Sequence, residues 1–208
     1  MTNPILLSIE GNIGAGKSTL LKAIPDYDWL IKVQEPVDIW SHIADQQTGE
    51  TILSKFYKDP TKYAFAFQIL AYSTRLAIIR NVIKENPHAK VILCERSLET
   101  DRFVFAKMLY DDGKIDDVSY QIYQNLFDTN PLEIPLGGVL YLNIDAETCD
   151  SRIKKRARDG EDSIPLEYLK SCEKYHRDWL DSNVSYPVKP INESFMTNPE
   201  EILLGFIQ

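Results

Sequence analysis

The sequence predicts an α/β fold, a parallel β-sheet covered by helices, and two observations lead to this class. Short apolar runs recur along the chain, and the long segments between them have the spacing of amphipathic helices. The first apolar run also leads directly into a glycine-rich motif and then into a helical segment. A strand, a glycine-rich loop and a helix in this order are typical of α/β domains that bind phosphate groups.

The predicted strands and helices alternate in chain order. The strands comprise residues 5–9, 30–33, 91–94, 139–144 and 188–191. The helices comprise residues 18–24, 52–57, 61–85, 98–110, 118–127, 147–156, 166–180 and 199–207. Pro60 stands in the first turn of the longest helix, where a missing N–H costs little. Because open parallel sheets bind ligands beyond the carboxyl ends of their strands, the residues that follow each strand are candidates for chemistry.

Composition and charge predict a single domain over residues 1–208 in the cytoplasm. The chain has 208 residues, of which 44% are hydrophobic and 26% charged, as in an ordinary globular domain. Its formal net charge of -8 argues against binding to nucleic acid polymers or anionic membranes. The three cysteines, Cys94, Cys149 and Cys172, lack C-x-x-C spacing, so we expect reduced, buried thiols. No apolar run is long enough to span a membrane, and none resembles a signal peptide.

The glycine-rich motif, Gly-Asn-Ile-Gly-Ala-Gly-Lys-Ser at residues 11–18, matches the phosphate-binding pattern G-x-x-x-x-G-K-[ST] at every fixed position. Loop N–H groups and the following helix would hold phosphate oxygens, Lys17 the β and γ phosphates, and Ser18 a magnesium ion. A chance match in an unrelated fold is the alternative. The motif indicates a nucleoside triphosphate, and the predicted ATP contacts here are Gly11, Asn12, Ile13, Gly14, Ala15, Gly16, Lys17, Ser18 and Thr19.

A second group of candidates follows the second strand and occupies one face of the long helix. Glu35-Pro36-Val37, with Trp40 downstream, would face the phosphate loop; the alternative is an acid that caps the next helix. The helix face carries, at i, i+3, i+4 and i+7 spacing, Ala64, Phe67, Gln68, Ala71 and Arg75. An amide and a guanidinium interrupt this apolar stripe, and small Ala71 leaves room for a planar group. Gln68 can pair with a base edge and Phe67 can stack, unless the polar residues merely reach solvent.

The third strand leads into Glu95-Arg96-Ser97. Glu95 at a strand end beside the phosphate loop fits a magnesium contact, and Arg96 could orient a carboxylate and a substrate hydroxyl together. Asp101 is a plausible partner for a buried Arg75, and Phe105 lies one helical turn beyond it. A surface ion pair is the alternative for Asp101.

Five basic residues within seven positions predict an arginine-rich lid at about residues 156–163: Arg152, Lys154, Lys155, Arg156 and Arg158. Guanidinium groups on a mobile segment suit a transferring phosphoryl group. A patch for nucleic acid or nuclear import is the alternative, which the acidic neighbours and the overall charge weaken.

Together these residues resemble the deoxynucleoside kinase family, which includes deoxycytidine, deoxyguanosine and deoxyadenosine kinases. The likeness extends from Ile5 to about Phe195. The motifs that carry it are the phosphate loop through Thr19, Glu35-Pro-Val with Trp40, Tyr57-Lys-Asp-Pro60, Phe67-Gln68, Glu95-Arg96-Ser97, and residues 152–161 leading to Ile164-Pro165-Leu166. The phosphate loop alone occurs in many folds, whereas the ordered set is specific.

The resemblance implies a P-loop kinase fold with a five-stranded parallel sheet, a homodimer, and ATP- and Mg²⁺-dependent phosphorylation of a deoxyribonucleoside 5′-hydroxyl. By position, Glu35 accepts the hydroxyl proton and is held by Arg96, with Glu95 as the rival acceptor or a magnesium-side residue. Tyr57 and Glu161 match residues that hold the sugar 3′-hydroxyl. Gln68 matches the reader of the base edge, and the ring is surrounded by Val37, Trp40, Phe67 and Phe105. The family's lid arginines, which contact the phosphates, correspond to Arg152, Arg156 and Arg158. The family's loop that touches the ATP base corresponds to Glu193, Ser194 and Phe195.

The resemblance also indicates substrate preference. Ala71, Arg75 and Asp101 resemble the deoxycytidine and purine kinase branch, in which the arginine and the acid favour an exocyclic amino group. If the acid faced the O4 carbonyl of thymine, two hydrogen-bond acceptors would face each other, and this unpaired contact would cost about 1–3 kcal/mol. We therefore expect deoxyadenosine, deoxycytidine or deoxyguanosine to be preferred over thymidine, unless the acid turns away on Arg75. One departure from the family is Gly160, which stands where many relatives have an acid.

Two alternative functions remain at this point. A nucleoside monophosphate kinase of the thymidylate kinase type shares the phosphate loop and the lid, but Glu35 would repel an acceptor phosphate. A nucleotide-dependent switch is the other, although a guanine-reading Asn-Lys-x-Asp is absent from the sequence and the polar helix stripe would lack a purpose.

Overall fold

A five-stranded parallel sheet forms the centre of the computed structural model, which describes residues 3–156, 161, 164–182, 184–191 and 199–206. The strands are β1 (Ile5–Gly11), β2 (Leu30–Val33), β3 (Val91–Glu95), β4 (Leu136–Leu142) and β5 (Val188–Ile191). They pair in parallel in the order β2-β3-β1-β4-β5. The predicted α/β class and parallel sheet are confirmed.

Helices connect the strands on both faces of the sheet. They are α1 (Lys17–Ala23), α2 (Val37–Ser41), α3 (Ile52–Lys58), α4 (Pro60–Glu85), α5 (Leu98–Thr100), α6 (Lys107–Asp111), α7 (Asp117–Thr129), α8 (Ala146–Arg156), α9 (Leu166–Leu180) and α10 (Pro199–Leu204). The Asp59 side chain accepts the N–H of Lys62 and so caps α4, with Pro60 in its first turn as expected.

Two predicted elements differ most from the structure, and helix α2 was not predicted. The helix predicted at residues 98–110 is divided, because a π-helical segment, Asp101–Ala106, lies between α5 and α6. Strand β4 begins at Leu136, three residues before the predicted position 139. The prediction began too late because two glycines interrupt the apolar run there. Gly138 lies directly under the ring of Phe206, so a side chain at this position would collide with that ring.

Apolar side chains cover both faces of the sheet, as expected for parallel strands. One face buries Leu6, Ile92, Val139 and Trp179, and the other buries Leu7, Leu93, Leu140 and Leu203. Because successive side chains of a strand point to opposite faces, β1 contributes to both layers. The sheet therefore holds its strand ends, and the loops after them, on a rigid base.

The three cysteines are buried and unpaired, as predicted. Burial raises the pKa of Cys94 to about 12, of Cys149 to about 11 and of Cys172 to about 12, so each is a protonated thiol at neutral pH. Among the described helices, none is both long and apolar enough to cross a bilayer.

Candidate active site

A cavity of about 270 Å³ lies beyond the carboxyl ends of β1, β2 and β3. From the phosphate loop it is lined by Ile13, Gly14, Gly16, Lys17, Ser18 and Thr19. Among the other predicted residues it is lined by Glu35, Val37, Trp40, Tyr57, Phe67, Gln68, Ala71, Arg75, Glu95, Arg96, Asp101, Phe105, Arg156 and Glu161. The structure thus brings together predicted residues that are up to 148 positions apart in the chain, from Ile13 to Glu161.

Some predicted residues do not line this cavity. Gly11, Asn12, Ala15 and Arg152 lie beside it in the loop and in α8. Asn12 is buried, and its side-chain amide donates to the carbonyl oxygen of Leu169 at 2.8 Å, so it ties the loop to α9. Arg158, Glu193, Ser194 and Phe195, with most of the lid at residues 156–163, lie outside the described residues.

The phosphate loop curls around the Lys17 ammonium. Two glycines, Gly14 and Gly16, have φ values of 82° and 104°, which side-chain-bearing residues rarely adopt. Lys17 Nζ donates to the carbonyl oxygens of Gly11 at 3.1 Å and Asn12 at 2.8 Å. Burial, with the nearby Arg96 charge, lowers the Lys17 pKa to about 8. Arg152 on α8 donates to the carbonyl oxygen of Ala15 at 3.0 Å, which places a guanidinium against the loop.

Ser18 and Glu95 form the pair that could hold a divalent metal. The Ser18 hydroxyl donates to Glu95 Oε1 at 2.6 Å, joining the start of α1 to the end of β3. A hydroxyl and a carboxylate are hard oxygen ligands of the kind that Mg²⁺ prefers, and Mg²⁺ takes its remaining ligands from phosphates and water. The donor set therefore fits this ion.

Two arginines hold Glu35 at the cavity. Arg75 Nη2 and Arg96 Nε lie 3.1 Å and 3.2 Å from Glu35 Oε1. Burial raises the pKa of Glu35, but the guanidinium groups of Arg96 and Arg75 outweigh it and hold the pKa below its usual value. Glu35 is therefore an ionised carboxylate at neutral pH.

Arg75 also binds the acid on the π-helical segment. Its Nε donates to Asp101 Oδ2 at 2.9 Å, and its Nη1 donates to the carbonyl oxygen of Glu95 at 2.9 Å. Arg75 is 3% exposed and Asp101 is 2% exposed, so the surface ion pair considered for Asp101 is wrong. The polar members of the α4 face are buried and do not merely reach solvent.

The turn that carries Arg96 has an unusual backbone. Arg96 has a φ of 66°, the left-handed region that favours glycine, and its N–H donates to the carbonyl oxygen of Ile9 at 3.1 Å. The next residue, Ser97, donates its N–H and its hydroxyl to Glu10 Oε1 at 2.9 Å and 2.8 Å. Glu10 is fully buried at the end of β1 and so fastens this turn to the strand that precedes the phosphate loop.

The far end of the cavity is aromatic, with one polar edge. Phe67 packs edge-on to Trp40 at 5.3 Å between ring centroids and stacks on Phe56 at 4.9 Å. Gln68 is 2% exposed, and its side-chain carbonyl oxygen has no partner in the described structure. Because Gln68 lines the cavity, its unpaired acceptor fits a ligand that supplies a hydrogen-bond donor.

Tyr57, Glu161 and Arg156 line the cavity near the end of α8. Burial raises the pKa of the Tyr57 hydroxyl, and the Glu161 carboxylate raises it further. Glu161 is 4% exposed and forms an ion pair with Arg156, the last residue of α8. A phenol and a carboxylate at one wall can donate to and accept from a hydroxyl.

Four residues that line the cavity were not predicted from the sequence: Lys22, Leu53, Phe56 and Tyr168. Leu53 and Phe56 precede Tyr57 on α3 at helical spacing, which could have indicated them. Glu10 and the fully buried His176, which contacts Arg96, were also not predicted. A histidine in the buried stripe of α9, with Leu169 and Cys172, was the available signal.

A parallel α/β sheet whose first strand leads into a phosphate loop, beside a cavity with a carboxylate held by arginines, defines the class of P-loop phosphotransferases. The model of the deoxynucleoside kinase family matches residues 7–202, so the chain belongs to that family.

Named relatives agree with this assignment. A probable deoxycytidine kinase of fowlpox virus is 35% identical over 185 residues, which are 88% of this chain and 74% of the relative. Human deoxycytidine kinase is 34% identical over 195 residues, 84% of this chain and 74% of the relative. Mitochondrial thymidine kinase 2 of Macaca fascicularis is 30% identical over 185 residues, which are 88% of this chain and 67% of the relative.

These similarities confirm the predicted family, fold and activity. The protein is an ATP-dependent kinase that phosphorylates the 5′-hydroxyl of deoxynucleosides, a reaction of nucleotide salvage. Its substrates are small molecules, a nucleoside and ATP, and the family generally uses a divalent metal with ATP. The family therefore argues against a monophosphate kinase and against a nucleotide-dependent switch.

Proposed function

We propose that Glu35 accepts the proton of the substrate 5′-hydroxyl while that oxygen attacks the γ-phosphorus of ATP. The bond from the γ-phosphorus to the bridging oxygen breaks, and ADP leaves. The observation that carries this proposal is the position of Glu35, which lines the cavity between Arg75 and Arg96. Because both arginines favour the ionised carboxylate, it is free of a proton at neutral pH and can take one up.

Glu95 is the other acid that could accept the proton, and its contacts favour a different role. Its Oε1 receives the Ser18 hydroxyl at 2.6 Å, which draws it towards the phosphate loop. We assign Ser18 and Glu95 as the residues that would hold Mg²⁺, which would supply positive charge to stabilise the transferring phosphoryl group. In that role Glu95 would not act as the base.

The remaining donor-side roles belong to cationic groups. Lys17 leaves the carbonyl oxygens of Gly11 and Asn12 for the β and γ phosphates, which are stronger acceptors. Arg152 and Arg156 stabilise the charge of the transferring group from α8. The resemblance alone supports the same role for Arg158, and contacts to the ATP base for Glu193, Ser194 and Phe195.

On the acceptor side, Tyr57 and Glu161 hold the sugar 3′-hydroxyl, and the ring lies among Val37, Trp40, Phe67 and Phe105. These residues surround the same cavity, with Gln68 at its polar edge. Positioning of this kind accounts for much of the rate in phosphoryl transfer, since the protein contributes no covalent step.

We propose that bases with an exocyclic amino group are preferred over thymine. Asp101 lines the cavity and is fixed by Arg75, and the unpaired Gln68 oxygen adds a second acceptor. An ionised carboxylate has about four lone-pair sites, so the contact with Arg75 leaves Asp101 capacity to accept from an amino group. Ala71, 3% exposed, leaves space for the ring between them.

The test is a panel of four deoxyribonucleosides and their monophosphates with ATP, assayed with Mg²⁺ and after chelation. We expect phosphorylation of nucleosides, with thymidine the poorest substrate, and no turnover without a divalent ion. Phosphorylation of thymidine alone would contradict the proposed preference, and full activity in chelator would contradict the metal assignment.

We also propose a homodimer that acts in the cytoplasm. The exposed apolar side chains of Val118 and Ile122, 64% and 52% accessible, lie one turn apart on α7 and support an interface there. The three buried thiols support a reducing compartment.

A further inference from the structure

His176 lies behind Arg96, outside the cavity, in a fixed hydrogen-bonding direction. It is fully buried on α9, and its Nδ1 lies 2.7 Å from the carbonyl oxygen of Cys172. Because a carbonyl oxygen only accepts, Nδ1 carries the proton. The other ring nitrogen, Nε2, therefore has a free lone pair.

That lone pair faces the guanidinium of Arg96. Nε2 lies 3.4 Å from Arg96 Nη1, which can only donate. Through another nitrogen, Nε, the same guanidinium contacts Glu35 at 3.2 Å. Arg96 is thus attached to the cavity carboxylate at one nitrogen and to the imidazole at another.

The imidazole cannot easily turn away. Its ring stacks on Tyr141, with 6.2 Å between centroids and 14° between planes, and meets Phe105 edge-on at 6.4 Å. The Arg96 guanidinium carbon lies 4.7 Å from the centroid of the same Phe105 ring. Burial, reinforced by the Arg96 charge, lowers the His176 pKa well below its usual value, so the ring is neutral at physiological pH.

We propose that His176 is a positioning residue for phosphoryl transfer, which fixes the Arg96 guanidinium towards Glu35 by accepting a hydrogen bond at Nε2. The inference rests on the proposed role of Arg96 at Glu35. A buried guanidinium with several directions to turn in would hold Glu35 less precisely. Small losses of alignment have large effects on rate in reactions that depend on positioning.

Two variants separate the two hydrogen bonds of the ring. In His176→Asn, the amide nitrogen lies near the Nδ1 position and can still donate to Cys172, but the acceptor for Arg96 is lost. In His176→Gln, the amide oxygen reaches the Nε2 position and can still accept from Arg96. We expect kcat of the Gln variant to stay within about threefold of wild type and kcat of the Asn variant to fall about tenfold or more. KM for ATP should change less than about twofold in both.

If the role of His176 is merely structural, the opposite order of kcat is expected for the two variants. The shorter bond is the one to Cys172, so Asn would then be tolerated at least as well as Gln, and lost activity would follow lost melting temperature. Equal kcat in the two variants, or a faster Asn variant, overturns the proposal. The matched control is His88→Asn at an exposed position, which should leave turnover unchanged.

Arg96→Ala separates this inference from the proposed function. If that variant turns over normally, the role of Arg96 itself has failed; if it is inactive while His176→Asn matches wild type, only the inference about His176 has failed. Should the Asn variant not fold, nitrogen NMR of the wild-type protein still tests the proposal. A proton on Nδ1 and none on Nε2 between pH 6 and 8 supports it, and a proton on Nε2 overturns it.

Discussion

Glu35 is the residue whose removal should affect turnover most, because two guanidinium groups converge on its carboxylate. Glu35→Gln keeps the shape but cannot take up the proton of the 5′-hydroxyl. We expect kcat to fall by about 10²- to 10⁴-fold, the usual contribution of a general base. ATP affinity, measured by equilibrium binding, should stay within about twofold of wild type.

Glu133→Gln is the matched control, since Glu133 pairs with Arg80 at the surface and is 62% exposed. It should leave kcat unchanged. Near-normal turnover of Glu35→Gln would move the role of proton acceptor to Glu95.

Lys17 should make ATP binding depend on pH. Its pKa of about 8 in the unliganded protein lies below the ordinary lysine value, so the ammonium loses its proton as pH rises through 8. Phosphate oxygens favour the charged form, so ATP binding above that pH must take up a proton. We expect ATP affinity to weaken steadily between pH 8 and pH 9.5, with proton uptake detectable by calorimetry in buffers of different ionisation enthalpy.

Lys17→Arg provides the comparison, because a guanidinium stays charged throughout this range. Whatever its absolute affinity, that variant should show a flatter pH dependence. A flat wild-type affinity from pH 7 to pH 9.5 would contradict the prediction.

Among the structural elements, the π-helical segment Asp101–Ala106 carries two of the residues that we propose surround the base. Both Asp101 and Phe105 line the cavity from this segment, while Val104 and Ala106 are buried in the core. The wider turn of a π-helix changes which residues share a face, and such turns are frequent at functional sites. Here the contacts of Asp101 with Arg75 hold its first residue.

Asp101→Asn should relax discrimination against thymidine. The new amide can donate to the O4 carbonyl of thymine, which the carboxylate opposes. We expect the ratio of kcat/KM for thymidine to that for deoxycytidine to rise about tenfold, from an unpaired contact of about 1–3 kcal/mol. Competitive assays with both nucleosides measure this ratio directly.

The control for that change is Asp128→Asn, which removes a carboxylate paired with Arg102 and 60% exposed. The ratio should not move in this variant. If it is also unchanged in Asp101→Asn, the carboxylate does not select the base.

Element by element, much of this arrangement could be predicted from the sequence. The strand at 188–191 and the helix at 166–180 have the predicted bounds. The reason is that a short apolar run indicates a buried strand, and apolar residues at helical spacing indicate a helix with one buried face. The α4 stripe also faces the cavity, because helical spacing alone fixes which of Phe67, Gln68 and Arg75 share a side.

Other features depend on contacts between distant segments, which local patterns do not encode. The π-helical segment is one, since its residues also fit a straight helix. The attachment of Ser97 to Glu10 is another, because the two residues are 87 positions apart. The contact between His176 and Arg96 is a third, because these two residues are 80 positions apart.

At the scale of the whole molecule, α7 is the proposed contact between two copies of the chain. Replacing Val118 and Ile122 together by Asp would place charges on both exposed apolar positions. We expect light scattering to report about two chains of 23.9 kDa for the wild type and one for the double variant. Ile43→Asp is the control, since Ile43 is exposed to a similar degree, 45%, outside α7. A wild-type mass of one chain would contradict the proposed dimer.

The left-handed backbone of Arg96 implies a trade-off between stability and activity. A side-chain-bearing residue at a φ of 66° costs roughly 1–2 kcal/mol relative to a relaxed conformation, and glycine escapes that cost. Arg96→Gly and Arg96→Ala lose the same guanidinium, so both should be inactive. In denaturant unfolding, the free energy of unfolding of the Gly variant should exceed that of the Ala variant by about 1 kcal/mol. A Gly variant that is no more stable than the Ala variant would contradict this. The backbone of this turn would thus favour glycine, and the arginine that we propose for the reaction is kept there at a conformational cost.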